Sequence, residues 1–115
     1  MELPKEAQED ILKFQQLQQQ LQMLAMQKQA VQMQTAEIET ALNELEKTAQ
    51  KEVFEVVGNI MVKKSKKEVM DSLKEKKDLV ELRVSTLDKQ AEKLNEKAME
   101  LQGKLAERLK EGKKK

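Results

Sequence analysis

The sequence predicts a mainly α protein: a long antiparallel two-helix coiled coil with one central β-hairpin that assembles with other subunits' hairpins into an intersubunit β-barrel. Apolar residues recur every three or four positions through both halves of the chain, and at its centre this rhythm gives way to β-branched runs flanking Gly58-Asn59. The 115 residues are also unusually polar, 38% hydrophobic against 37% charged with a mean hydropathy of −0.77. Two Phe, no Trp and no Tyr leave little bulk for a compact core in so short a chain. Its stability has to come from helix pairing or from partners.

Helix 1 is expected over about residues 4–50. Pro4 suits a first turn, where a missing N–H costs nothing, and Glu6, Glu9 and Asp10 follow near the positive end of the helix dipole. No Gly or Pro interrupts the stretch up to Gln50. With Phe14 as heptad position a, the a series is Ala7, Phe14, Leu21, Lys28, Thr35, Leu42 and Ala49, and the d series Asp10, Leu17, Leu24, Val31, Ile38 and Leu45. Helix 2 is expected over about 66–111, behind a capping-box spacing of Ser65 and Glu68. Its a positions are Met70, Lys77, Val84, Ala91, Ala98 and Leu105, and its d positions Leu73, Val80, Leu87, Leu94, Leu101 and Arg108.

Helices of matched length joined by a short connection favour antiparallel pairing. Position a then faces d, and the numbers of facing residues add to a constant. A sum of 115 joins Phe14 to Leu101, Val31 to Val84 and Leu45 to Met70, and is preferred because the connector centres near residues 58 and 59. A sum of 122, one heptad away, is also self-consistent. Lys28 and Lys77 in the seam read as register-setting or snorkelling residues, and Asp10 and Arg108 as residues that pair or fray where the seam opens.

The hairpin is placed at 53–63. Gly58-Asn59 as a two-residue turn pairs Val57 with Ile60, Val56 with Met61, Glu55 with Val62 and Phe54 with Lys63. Val53, Val57, Ile60 and Val62 then share one face, and Phe54, Val56 and Met61 the other. An isolated two-stranded hairpin is marginal in water. Seven apolar side chains, at about 1.5–3 kcal/mol each when buried, together with unpaired strand edges, mark this segment as the site of subunit assembly.

Other function classes find little support. With no His and no Cys, the usual neutral-pH base, the thiolate nucleophile, disulfides and common zinc ligands are missing, and no Gly-rich phosphate loop is present. An enzyme, a metal site or a bound cofactor is therefore not expected. No apolar run approaches the roughly 20 residues that span a bilayer, and residues 1–25 do not read as a leader, so the chain reads as cytoplasmic. Net charge is +1, divided as −4 over residues 1–50 and +5 over 51–115; nucleic-acid and membrane binding are not expected.

The run Val53-Phe54-Glu55-Val56-Val57-Gly58-Asn59-Ile60-Met61-Val62-Lys63, followed by the capped start at Ser65 to Glu68, resembles the prefoldin family, specifically its β-type subunit. The likeness extends over nearly the whole chain as architecture, and room for a single hairpin distinguishes it from the α type. The resemblance implies a hexamer of two α-type and four β-type subunits, in which hairpins build a β-barrel platform and coiled coils hang from it as tentacles. It further implies capture of nonnative polypeptides without nucleotide and their transfer to a group II chaperonin.

In the family, client contact is attributed to the distal tentacle ends, here the first two turns of helix 1 and the last two of helix 2. Ile11 and Leu12 at positions e and f, and Leu109 at e, lie off the seam at these ends; with the seam residues Phe14 and Leu105 they form the expected client-binding set. Ordinary surface apolarity is the competing reading for each of them. Met23, Met26 and Met33 continue an off-seam strip, for which a plain helix-former role is favoured. Ten glutamines between Gln15 and Gln34 read as uncharged helix surface. Gly103 should loosen helix 2 near its end. Beyond it, Lys110 and the tail over 112–115, with Lys113, Lys114 and Lys115, either complement the helix dipole or dock on an acidic chaperonin surface. The rival to a chaperone subunit is a structural coiled-coil adaptor, which would have no need of a two-faced apolar hairpin.

Overall fold

The computed structural model describes residues 3–113, with side chains through Lys110. The element order is α1 (Lys5–Lys47), β1 (Glu52–Val57), β2 (Ile60–Ser65) and α2 (Lys66–Lys113). The chain divides into two compact units, one of Met1–Lys28 with Thr86–Lys115 and one of Gln29–Ser85.

The start of α1 follows from Pro4, whose carbonyl accepts the N–H of Gln8 at 3.0 Å and so opens the helical ladder. Its end comes at Lys47, three residues before the expected boundary near 50. Long-range hydrogen bonds account for this. The Thr48 carbonyl accepts from Lys66 Nζ at 2.7 Å, and the Lys51 carbonyl accepts the Lys66 N–H at 2.7 Å. These bonds hold the chain in a turn towards β1, and Ala49, counted above as a seam position, is exposed.

α2 opens on Ser65, whose Oγ accepts the N–H of Glu68 at 3.1 Å, the forward half of a capping box. It continues to Lys113, two residues past the expected boundary at 111. The basic tail placed at 112–115 thus begins as helix, since one glycine costs only about 1 kcal/mol against alanine in a helix.

Within each unit the seam is where the heptads put it. In the unit carrying the chain ends, Ala7, Asp10, Leu87 and Ala98 are buried, with Phe14, Leu17, Leu21, Leu24, Leu94 and Leu101 half-buried around them. In the other unit Val31, Ile38 and Val80 are buried. The ion pairs choose between the two registers. Lys28 meets Asp88 at 2.6 Å in one unit and Lys77 meets Glu39 at 3.3 Å in the other, and in both the residue numbers add to 116. A register of 115 leaves these partners almost level, whereas 122 would separate them by roughly 9 Å along the helices at 1.5 Å per residue.

Candidate functional site

Two regions hold the side chains to which the sequence assigns a role: the hairpin, and the paired chain-terminal ends of the helices. In the hairpin, Gly58 takes a φ of 61° and among the described residues no non-glycine has positive φ, the pattern of a type II′ turn, in which only the first loop residue requires the left-handed region. The register is Val57 with Ile60, Val56 with Met61, Glu55 with Val62 and Phe54 with Lys63, and it continues to Val53 with Lys64 and Glu52 with Ser65. The strands therefore reach 52–65, beyond the expected 53–63, and a diagonal ion pair crosses between them on each face. Lys63 meets Glu52 and Lys64 meets Glu55, both at 2.6 Å. The Glu55 hydrogen bond and charge hold the Lys64 ammonium above its ordinary pKa.

Five of the seven apolar hairpin residues remain exposed in the protomer: Phe54, Val56, Val57, Ile60 and Met61, at 50 to 69%. Val53 and Val62 are half-buried. The sheet has two strands, so the outer backbone edge of each has no strand partner among the described residues. A mostly apolar groove lined by Ala41, Leu45, Phe54, Val56, Val69 and Leu73, together with Glu44, Glu55 and Ser72, opens beside it. A surface with both apolar side chains and open strand edges is suited to strand addition and burial against another subunit.

The helix ends are joined by charge. Arg108 Nη1 lies 2.8 Å from Asp10 Oδ2 and 3.6 Å from a Glu6 carboxylate oxygen. Asp10 is 7% exposed, and this oxygen is buried without an aligned hydrogen bond, so its contact with the guanidinium is Coulombic. Around this cluster Ile11, Phe14 and Leu105 are half-buried, while Leu12 is 60% and Leu109 44% exposed. Ile11 is thus partly drawn into the seam, and Leu12 and Leu109 form the open part of the set. Lys110 is exposed; Lys113 is helical, but its side chain, with Lys114 and Lys115, lies outside the described residues.

Met23, Met26 and Met33 are exposed, as their off-seam positions require. Leu79, Leu82 and Met99 are also largely exposed and were not singled out from the sequence. The same heptad count identifies them, since they fall at c, f and b. Among the described residues no group of acidic side chains is arranged to hold a metal ion, and no helix is long and apolar enough to cross a membrane.

Known proteins share both the sequence and this geometry. The sequence model of the family described as prefoldin subunit matches residues 8–112. A prefoldin subunit beta of Archaeoglobus fulgidus is 43% identical over 105 residues, covering 90% of both chains. That of Methanosarcina acetivorans is 38% identical over 94% of this chain and 93% of its own. The crystal structure of the prefoldin beta subunit from Thermococcus strain KS-1 superposes with a TM-score of 0.84 at 36% identity, covering 90% of this chain and 92% of that one. One hairpin between two heptad-bearing helices, matched in sequence and in structure along nearly the whole length, shows that this chain belongs to the prefoldin subunit family and is of its β type.

Proposed function

We propose that the chain is a chaperone subunit that binds nonnative polypeptides without nucleotide, as part of a hetero-oligomer, and delivers them to a group II chaperonin. The observation that carries this is the division of labour along the sequence. Phe54, Val56, Val57, Ile60 and Met61 expose apolar surface on a hairpin with open edges, which suits a shared barrel with α-type subunits and further copies of this chain, two α to four β. The chain-terminal ends of the helices separately present Leu12 and Leu109 beside Ile11, Phe14 and Leu105, a small apolar set for unfolded segments. Lys110, Lys113, Lys114 and Lys115 are the candidate contact to an acidic face of the chaperonin. Family membership, together with the lack of His, Cys and a phosphate loop, favours binding over catalysis, and a cytoplasmic setting follows from the same reading.

The test is direct. The oligomer formed with an α-type partner should suppress aggregation of a client diluted from denaturant in the complete absence of ATP. An oligomer that assembles yet never lowers light scattering would make the chain a structural adaptor instead.

A further inference from the structure

The two flanks of the coiled coil are charged in different ways. In the unit of the chain ends, on the flank of the e positions, the seam lysine Lys28 meets Asp88. The opposite flank of that unit has no such pair among the described residues. Its g positions are Lys13, Gln20 and Gln27 on α1 and Gln90, Lys97 and Lys104 on α2. In an antiparallel coil g faces g, so register 115 sets Lys13 opposite Lys104 and Gln20 opposite Lys97. Complementary charges usually occupy these positions. Here cations face cations or amides, and among the described residues Lys13, Lys93, Lys97 and Lys104 take part in no ion pair.

A groove runs along this flank. One stretch is lined by Met23, Leu24 and Leu94 with Gln20, Gln27, Gln90, Lys93 and Lys97, and includes no carboxylate. Through Gln20 and Lys97 it continues into a second, floored by Leu17 and Leu101 and edged by Lys13, Lys104 and the single acid Glu100. Four lysines against one glutamate thus border an apolar floor. From residue 13 to 27 the groove is roughly 21 Å long at 1.5 Å per residue, the span of an extended segment of about six residues.

We propose that this flank is a binding groove for apolar segments of nonnative chains that carry acidic side chains. Leucine-type side chains settle on Met23, Leu24, Leu94 and Leu101, carboxylates meet the unpaired lysines, and the glutamine amides serve the segment's backbone, which has no sheet or helix to satisfy it. The inference rests on the chaperone reading and specifies the chemistry of its substrates. A groove with cations on both walls repels basic segments, so selection works by exclusion as well as attraction.

Fluorescence anisotropy on the assembled full-length protein tests it with two dye-labelled peptides, one alternating leucine with glutamate and one alternating leucine with lysine. The glutamate peptide should bind at least several-fold more tightly, and raising salt should narrow the difference. The double variant Lys97→Glu/Lys104→Glu, both exposed positions, should weaken the glutamate peptide about tenfold and reverse the preference with its helicity intact. Met23→Gln should weaken both peptides. Equal binding of the two by the parent, or a preference that survives charge reversal, overturns the proposal, as does polyglutamate binding as tightly as the leucine-bearing peptide. Aggregation suppression measured on the same samples separates the two readings. If suppression is present but indifferent to peptide charge, only the groove fails; if suppression is absent, the chaperone reading itself fails.

Discussion

A lysine in a coiled-coil seam has to bring its ammonium to water or to an acid. Lys28 and Lys77 do the latter, reaching across the seam to Asp88 and Glu39. Each exposed pair contributes only about 0.2–1 kcal/mol, so its consequence is register rather than stability. From sequence the two lysines were recognisable as register-setting positions, but their partners were not, because an acid on the facing helix becomes a neighbour only once the register is fixed. Asp10 and Arg108 had the same ambiguity between pairing and fraying, which the 2.8 Å contact resolves. Gly103 is a simpler case. It lies inside α2, and a Cβ added there would meet nothing within 4 Å, so Gly103→Ala should stabilise the protein by roughly 1 kcal/mol through helix propensity alone. Thermal unfolding followed by circular dichroism would show a higher midpoint, and an unchanged or lower one would mean that the glycine has a contact or conformational role.

At the scale of elements, the hairpin was legible because its determinants are local. A Gly at the first position of a two-residue loop fixes the turn, the turn fixes the register, and the alternation of side chains fixes the two faces. The end of α1 was less legible because it is decided from afar: Lys66, eighteen residues beyond Thr48, takes the Thr48 carbonyl with its side chain and the Lys51 carbonyl with its backbone N–H. A helical pattern read along one segment contains no trace of that competition. The off-seam Leu79, Leu82 and Met99 are a different kind of miss, since their heptad positions were readable but no neighbouring motif drew attention to them. Val57 and Ile60 form an exposed cross-strand pair at the hairpin tip. Val57→Asp/Ile60→Asp places two carboxylates on surface that assembly would bury, at a desolvation cost of several kcal/mol. Sedimentation should show dissociated species with most of the helical signal retained. A double variant that still sediments as the parent oligomer would remove the hairpin from the interface.

On the proposed reading, the whole molecule combines an apolar surface for its own kind with another for chains that are not yet folded. Heptads and hairpin, and so the architecture, were readable from periodicity, whereas the client-binding assignment came from the family likeness, and the packing adjusts it: Ile11 is half-buried while Leu12 and Leu109 stay open. Transfer of the client should depend on charge more than on apolar area. Replacing Lys110, Lys113, Lys114 and Lys115 with Ser should slow association with an acidic chaperonin surface and flatten its salt dependence, because screening acts over about 8 Å at physiological ionic strength, while aggregation suppression persists. Surface plasmon resonance across a salt series would show this, and identical on-rates and slopes would return the lysines to the role of helix-end counter-charges.

Client capture at the chain-terminal ends is tested most directly by aggregation suppression with an oligomer lacking residues 1–12 and 105–115, from which Ile11, Leu12, Leu105, Leu109 and the Asp10–Arg108 pair are gone while the hairpin is whole. Such a particle should keep the parent's subunit stoichiometry and hold client several-fold less well, since the open apolar surface of the chain-terminal ends is lost while the hairpin and the groove of residues 13–27 and 90–104 are retained. Full suppression by the truncated particle would contradict capture at these ends.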